Sequence, residues 1–202
     1  MKIPSKHIEN AVEQLSSLPG IGKRTALRLV LQILKRSEEE VHDFSNAFIS
    51  MKANVLKCNE CGNVSDTPVC SICTNTSRDK SMICVVEDIR DILAIESTES
   101  YLGVYHVLGG IISPMEGVGP NDLNITSLVN KVSKGGISEV IFALSATMEG
   151  DTTNFYLYKK IGGFETKVTT LSRGVSVGSE LQYADEITLS RSLQNRQLFQ
   201  VY

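Results

Sequence analysis

The chain has 202 residues and a formal net charge of −3 at neutral pH, with five cysteines and no tryptophan. This length suffices for one or two domains with hydrophobic cores, and no apolar run is long enough to span a bilayer, which argues against a helical membrane protein. Residues 1–18 lack the charged and apolar regions of a signal peptide, so we expect a cytoplasmic protein.

Charge is unevenly distributed along the chain. Residues 1–57 carry nine Lys and Arg against six Asp and Glu, whereas residues 58–202 carry eleven against seventeen. A basic N-terminal region followed by an acidic remainder predicts that a polyanion contacts the first region and that the second has another role.

Apolar residues recur at helical spacing in three N-terminal stretches, which predicts helices beginning near Ser5, extending from Arg24 to Arg36, and beginning at Ser37. Ser37 and Glu40 have the spacing of a capping box. The side chains expected on the buried faces are, in chain order, Ile8, Val12, Leu15, Ala26, Leu27, Val30, Leu31, Leu34, Val41, Phe44, Phe48, Met51 and Val55.

The turn between the first two helices has the sequence Leu-Pro-Gly-Ile-Gly-Lys. Gly20 and Gly22 permit positive φ angles and leave room for another molecule's backbone, and the next helix offers unpaired N–H groups to a phosphate oxygen. Lys23 and Arg24 follow at once, and Arg28 lies one turn further along the face of Arg24. The pattern resembles the helix-hairpin-helix motif, which binds the DNA backbone without reading bases. The alternative is an ordinary helix–helix turn with solvated lysines.

Four of the five cysteines form two Cys-x2-Cys pairs separated by eight residues: Cys58, Cys61, Cys70 and Cys73. The spacing lets each pair bind one tetrahedral ion, and the short separation lets all four sulfurs converge on it. The surrounding segment is too polar to form its own core, so a metal would supply folding energy. We therefore predict one structural zinc ion per chain. The alternative, two disulfides, suits a secreted protein better than this one.

Beyond residue 78, apolar strands alternate with helical patterns, which predicts a mainly parallel α/β sheet with helices on both sides. The predicted strands span residues 82–87, 105–108, 139–144 and 167–171, and the predicted helices span residues 89–95, 123–132 and 152–161. Cys84 falls inside the first strand and is interpreted as a small core residue.

Three carboxylates follow strands of this predicted sheet. Glu87 ends the first strand, and Glu149 and Asp151 follow the third. Open α/β sheets place their sites at such strand ends, and the three oxygen ligands could hold one Mg²⁺. The pattern resembles the Toprim fold of topoisomerases, primases and some nucleases, where the second element is usually Asp-x-Asp. The alternatives are solvated carboxylates, or Asp151 as the cap of a helix beginning at Thr152.

The order of these parts is similar to that of the RecR family of bacterial recombination mediators. The similarity spans nearly the whole chain and includes residues 18–23, the four cysteines, and residues 85–87, 105–110, 113–114, 147–151, 168–173 and 174–186. The family often has a second Glu where this chain has Asp151, a change that keeps the charge and shortens the reach.

The resemblance implies a multi-part α/β protein with four regions. They are a helix-hairpin-helix DNA-binding region at 1–57, a four-cysteine zinc finger at 58–77, a Toprim domain at 78–175, and a strand and helix tail at 176–202 that serves oligomerisation.

The resemblance also implies a function in recombinational DNA repair. Family members have no known chemistry of their own and act with RecO and, in many bacteria, RecF to help load recombinase at single-strand gaps. They form ring-like tetramers that could encircle duplex DNA, and residues like Glu87, Glu149 and Asp151 are implicated in partner contact. Two alternatives stay open: a Mg²⁺-dependent Toprim nuclease or strand-transferase using those carboxylates, and a zinc scaffold that does not touch DNA.

Overall fold

The computed structural model describes residues 3–196 and residue 198. The chain divides between Val55 and Leu56 into two compact units, each with its own packing.

The first unit is helical. It contains α1 (Lys6–Ser16), α2 (Lys23–Ile33) and α3 (Glu38–Asn54). Val12 of α1 is buried against Ala26 and Val30 of α2, with partly buried apolar neighbours around them. The helical periodicity of the sequence correctly located these contacts, because side chains at this spacing share one face of a helix.

Helix α3 buries no residue within the described part of the chain. Its capping box is confirmed, because the Glu40 N–H donates to the Ser37 hydroxyl at 3.2 Å while the Ser37 N–H donates to the Glu40 carboxylate at 2.8 Å. The predicted buried face is wrong, since Phe48 and Met51 are each 55% exposed. The other members of that predicted face on α3, Val41, Phe44 and Val55, are partly or largely exposed, as are Leu31 and Leu34 of α2.

The second unit begins with the four-cysteine module. A short antiparallel pair, β1 (Leu56–Lys57) and β2 (Val64–Ser65), encloses the first two cysteines. The last two flank the start of α4 (Ser71–Thr74), where Cys70 is the N-cap residue.

A four-stranded parallel sheet follows, as predicted, in the order β4-β3-β5-β6. Its strands are β3 (Asp79–Val86), β4 (Gly103–Val107), β5 (Glu139–Phe142) and β6 (Lys167–Thr170). The helices between and after these strands are α5 (Ile89–Glu96), α6 (Ile125–Ser133) and α7 (Met148–Ile161), and short 3-10 turns span Pro114–Glu116 and Pro120–Asp122.

The central strand β3 supplies side chains to a core on each face of the sheet. Ile83 and Val85 pack in one core, while Cys84 and Val86 pack in the other. Cys84 is 2% exposed, so its interpretation as a core residue is confirmed, and burial raises the pKa of its thiol to about 12. Parallel strands covered on both faces read as the continuous apolar runs seen in the sequence.

The tail beyond β6 has little regular structure. A 3-10 turn at Leu181–Tyr183 precedes α8 (Glu186–Gln194), whose first turn is capped by the Asp185 carboxylate accepting from the Thr188 N–H at 2.9 Å. The strand expected in this tail is not found in its described residues, where Gly178 adopts a positive φ of 83°. None of the described helices combines the length and apolar character needed to cross a membrane.

Candidate nucleic-acid interface and metal centre

The turn between α1 and α2 is closed by a hydrogen bond from the Ile21 N–H to the Leu18 carbonyl at 3.1 Å. Gly20 has a φ of 81°, as its position in a tight turn requires. Gly22 instead has a φ of −77° and serves as the N-cap of α2, so the freedom to adopt a positive φ is used at Gly20 and not at Gly22. An added Cβ at either glycine would meet no atom within 4 Å, which leaves the turn open to another molecule.

The start of α2 is unoccupied by side-chain acceptors. Because Gly22 has no side chain, it gives the helix no cap, and the first N–H groups of α2 remain available to an external oxygen. Lys23, Arg24 and Arg28 are all exposed, and none forms an ion pair with a residue that the structure describes. Uncapped donors beside unpaired cations form a suitable site for a phosphate group.

The four cysteines converge as the sequence predicts. Their sulfur atoms lie within 4.8 Å of one another, all four residues are buried, and all are free thiols, so the disulfide alternative is not adopted. The Cys61 and Cys70 sulfurs are 3.6 Å apart. Four sulfurs about 2.3 Å from a tetrahedral zinc ion lie about 3.8 Å from each other, so this donor set fits zinc.

Backbone groups hold the cysteines in this arrangement. The Cys70 N–H donates to the Cys58 sulfur at 3.2 Å, the kind of contact that stabilises a thiolate ligand. The Cys58 N–H donates to the Asn63 carbonyl at 2.7 Å, and the Gly62 N–H donates to the Cys58 carbonyl at 2.9 Å. Gly62 has a φ of 78°, which lets the loop turn back on itself after the second cysteine.

Hydrogen bonding and burial shift the pKa values of these thiols in different directions. A hydrogen bond from the Cys73 thiol lowers the pKa of Cys61 to about 5, and the same bond raises the pKa of Cys73. Burial raises the pKa of Cys70. A zinc ion binds thiolates, so its binding would release the protons that the cluster holds.

Lys131 of α6 lies between the four-cysteine module and a buried histidine of β4, and the sequence reasoning gave neither residue a role. His106 is fully buried, its Nε2 donates to the Asn124 carbonyl at 2.7 Å, and burial lowers its pKa to about 4. The Lys131 ammonium lies 3.5 Å from Nδ1 of this ring and also donates to the Glu60 carbonyl. The module is thereby tied to α6 as well as to β4.

The three candidate carboxylates occupy different environments. Glu87 is half-buried at the end of β3, and burial raises its pKa. Glu149 is exposed in the first turn of α7. Within the part of the chain that the structure describes, only the four cysteines form a group of three or more potential metal ligands close enough to share one ion. Glu87, Glu149 and Asp151 form no such group, so they are not brought together as a magnesium site.

Asp151 is not a helix cap. Helix α7 begins at Met148, four residues before the predicted start, and its N-cap is Thr147, whose hydroxyl accepts from the Gly150 N–H at 3.1 Å. Gly150 itself is packed so closely that an added Cβ would lie 1.9 Å from the Ser145 carbonyl oxygen. The glycine of the Glu-Gly-Asp motif is therefore required by packing.

Two arginines neutralise Asp151, and sequence reasoning assigned a role to neither. Arg173 donates to both carboxylate oxygens, one of these bonds measuring 3.0 Å, and Arg191 of α8 lies 3.5 Å from Oδ2. The hydrogen bonds from Arg173 lower the pKa of Asp151. The intervals of 22 and 40 residues leave no sequence periodicity that could have revealed these pairs.

Family models match the chain in four consecutive parts. Residues 8–51 match the helix-hairpin-helix of RecR, residues 55–75 its four-cysteine zinc finger domain, residues 81–172 a Toprim domain, and residues 174–197 the RecR C-terminal family. These matches confirm the interpretation of the sequence as a helix-hairpin-helix, a four-cysteine zinc finger and a Toprim domain, in that order.

Proteins named "Recombination protein RecR" resemble the chain over nearly its full length. The one from Flavobacterium johnsoniae is 58% identical over 200 residues, covering 99% of this chain and 97% of the relative. The one from Bacteroides thetaiotaomicron is 58% identical over 97% of this chain and 96% of the relative. The one from Cytophaga hutchinsonii is 51% identical over 99% and 98%, respectively.

Proposed function

The chain belongs to the RecR family of recombination proteins, and we propose that it is a non-enzymatic DNA-binding clamp and adaptor in recombinational DNA repair. In this role it works with RecO and RecF to help load recombinase at single-strand gaps. The observation that carries the proposal is the uncapped start of α2, where Lys23 and Arg24 stand exposed beside free backbone donors.

DNA binding through this turn would be independent of base sequence. A helix N-terminus and flanking cations contact phosphates, which carry no sequence information. The net charge of the first 57 residues is only +3, so one subunit neutralises few phosphates and its affinity falls steeply with salt. Several subunits around one DNA axis would multiply these contacts and raise the effective concentration of each.

The exposed apolar surface of the first unit supports such an assembly. On α3, Phe44 and Phe48 pack edge to face at 5.0 Å, yet Phe44 is 38% exposed, and Phe48, Ile49 and Met51 are each more than half exposed. Apolar patches of this kind mark protein interfaces. In the tail, Leu181 and Tyr183 are also mostly exposed. We propose that both surfaces contact other copies of this chain in a tetrameric ring.

The zinc finger serves this proposal as a structural element. Cys58, Cys61, Cys70 and Cys73 would hold one zinc ion per chain. The ion supplies folding energy to a segment that has little apolar core of its own. With four thiolate ligands, such a site keeps no open position for catalysis.

The acidic residues of the Toprim domain would bind a partner and not a metal. Glu87 and Glu149 are not gathered with Asp151, and Asp151 is occupied by arginines. An acidic surface repels DNA and attracts a basic protein. We therefore assign Glu87 and Glu149 to partner contact.

The double variant Lys23→Ala with Arg24→Ala tests the DNA-binding turn. We expect its affinity for duplex DNA at moderate salt to fall at least about tenfold, because two phosphate contacts are lost per subunit. The matched control is Lys159→Ala with Lys160→Ala, which removes the same charge from adjacent exposed positions on α7. Equal affinity in both double variants, with an unchanged molecular mass, would contradict the assignment of this turn to DNA.

The enzymatic alternative has a separate test. Purified protein is incubated with gapped and supercoiled DNA in Mg²⁺, and we expect no cleavage or strand transfer. A product that is formed by the native chain and lost in Glu87→Gln would overturn the non-enzymatic assignment.

A further inference from the structure

We propose that Asp151 anchors the C-terminal segment, residues 174–196, to the Toprim domain through Arg173 and Arg191. The anchoring contacts lie within one chain, so the inference stands apart from the clamp proposal. Asp151 thereby has a structural role, whereas Glu149 of the same Glu-Gly-Asp motif is assigned to partner contact.

The contact geometry joins three separate parts of the chain. Asp151 lies in the first turn of α7, Arg173 follows β6, and Arg191 lies in the last turn of α8. The guanidinium of Arg173 faces the carboxylate with both terminal nitrogens, and Arg191 approaches the same carboxylate at 3.5 Å. Bidentate pairing of this kind fixes orientation as well as position.

The partial burial of this group strengthens it. The side chain of Arg173 is 25% exposed, that of Arg191 is 39% exposed, and that of Asp151 is 42% exposed. Water therefore screens the pairs less than it screens a fully exposed pair.

Helix α8 has little else to hold it. None of its residues is buried, and Ile187 and Leu193 are each 67% exposed. Cavities of about 550 Å³ and 480 Å³ adjoin the ion-pair group, and Arg173 and Arg191 line both. Leu189 is the one apolar side chain of this helix that is partly buried, so the position of α8 depends largely on the polar contacts of Arg191.

Glu149 and Asp151 therefore differ in what they can bind. Glu149 is exposed and is paired with no cation in the described part of the chain, whereas the oxygens of Asp151 already accept from arginine. A carboxylate in this state has little left to offer a metal ion or a basic partner. Asp151 follows Glu149 by two residues, so its ion pairs instead connect this acidic first turn of α7 to residues 174–196.

Hydrogen exchange of residues 186–194, read by mass spectrometry on the full-length protein, tests the anchor. We expect Asp151→Asn to speed exchange there about three- to tenfold, because the charge-assisted contacts are lost. Arg191→Gln should speed exchange in the same residues, and its effect should vanish on the Asp151→Asn background. Asp151→Glu should restore most of the protection, since it keeps the charge.

Glu149→Gln is the matched control, because it removes the same charge two residues away and should leave exchange of α8 unchanged. High salt should shrink the effect of Arg191→Gln. The inference is overturned if Arg191→Gln leaves exchange of α8 unaltered, or if its effect persists in full on the Asp151→Asn background. Arg191→Gln alone remains decisive if Asp151→Asn fails to fold, because Arg191 belongs to a helix with no buried residue.

Discussion

The backbone N–H of Val107 donates to the carbonyl oxygen of Cys61 at 2.7 Å, so the end of β4 rests on the loop that carries the first two cysteines. Strand β4 is the edge of the sheet, and edge strands leave backbone donors that need partners. Two residues further on, the Gly109 N–H donates to the Glu87 carbonyl at 2.9 Å. The position of the zinc finger is thereby connected to the backbone of a candidate partner-binding acid.

Close packing at Gly62 predicts that Gly62→Ala is more destabilising than its backbone angle alone requires. An added Cβ would lie 3.1 Å from the Asn124 amide and 3.2 Å from the Val107 carbonyl oxygen. Gly135→Ala is the matched control, since Gly135 has the same φ of 78° and open space around it. By urea unfolding we expect a loss of about 1 kcal/mol at Gly135 and about 2–3 kcal/mol at Gly62. Equal losses of stability in the two variants would show that β4 adjusts to the added methyl group at position 62 without cost.

The sequence predicted the sheet well because each buried strand is a short apolar run bounded by turn residues. It failed at α3, where Phe48 and Met51 have helical spacing yet stay exposed, because periodicity reveals an apolar face and not what covers it. It also misplaced the start of α7, since Thr147 caps the helix four residues before the position first expected. A helix boundary that depends on one capping hydroxyl is difficult to recognise in a sequence.

Loss of one cysteine ligand should remove the zinc ion. We expect Cys70→Ser to lower the zinc content from one ion per chain to nearly none and to yield poorly folded protein, because the site supplies folding energy. Elemental analysis with circular dichroism measures both effects. Cys84→Ala is the control, since this thiol lies in the core of the sheet, and its zinc content should stay at one per chain. Folded Cys70→Ser protein with full zinc content would contradict the ligand assignment.

The apolar face of α3 predicts that Phe48→Glu lowers the molecular mass of the protein in solution. A charge placed in a desolvated interface is costly, so the contact between copies should weaken by more than about tenfold in dissociation constant. Light scattering coupled to size-exclusion chromatography provides the mass. Asn46→Glu adds the same charge about 200° around the helix and should leave the mass unchanged. Equal masses for Phe48→Glu and the native chain would exclude this face as the interface.

The candidate site was predictable where its residues are close in sequence. The cysteine pairs and the Gly20 turn carry their geometry in their spacing. The partners of Asp151, by contrast, come from the segment after β6 and from α8, and only the fold brings Arg173 and Arg191 to it. His106 and Lys131 are likewise 25 residues apart in the sequence, and only the fold brings the Lys131 ammonium within 3.5 Å of the His106 ring.

Burial of His106 predicts a loss of stability in mild acid. Its folded pKa of about 4 lies below the ordinary value of 6.5, so between these values the unfolded chain binds a proton that the folded chain refuses. The free energy of unfolding should therefore fall as pH drops, by about 2 kcal/mol from pH 7 to pH 5. The charged group facing the ring, Lys131, further disfavours protonation. His106→Gln keeps a donor for the Asn124 carbonyl and cannot titrate, so the difference between the two proteins isolates this histidine from the cysteines. Urea unfolding at both pH values measures it, and an identical pH dependence in the two proteins would show that His106 is protonated without cost.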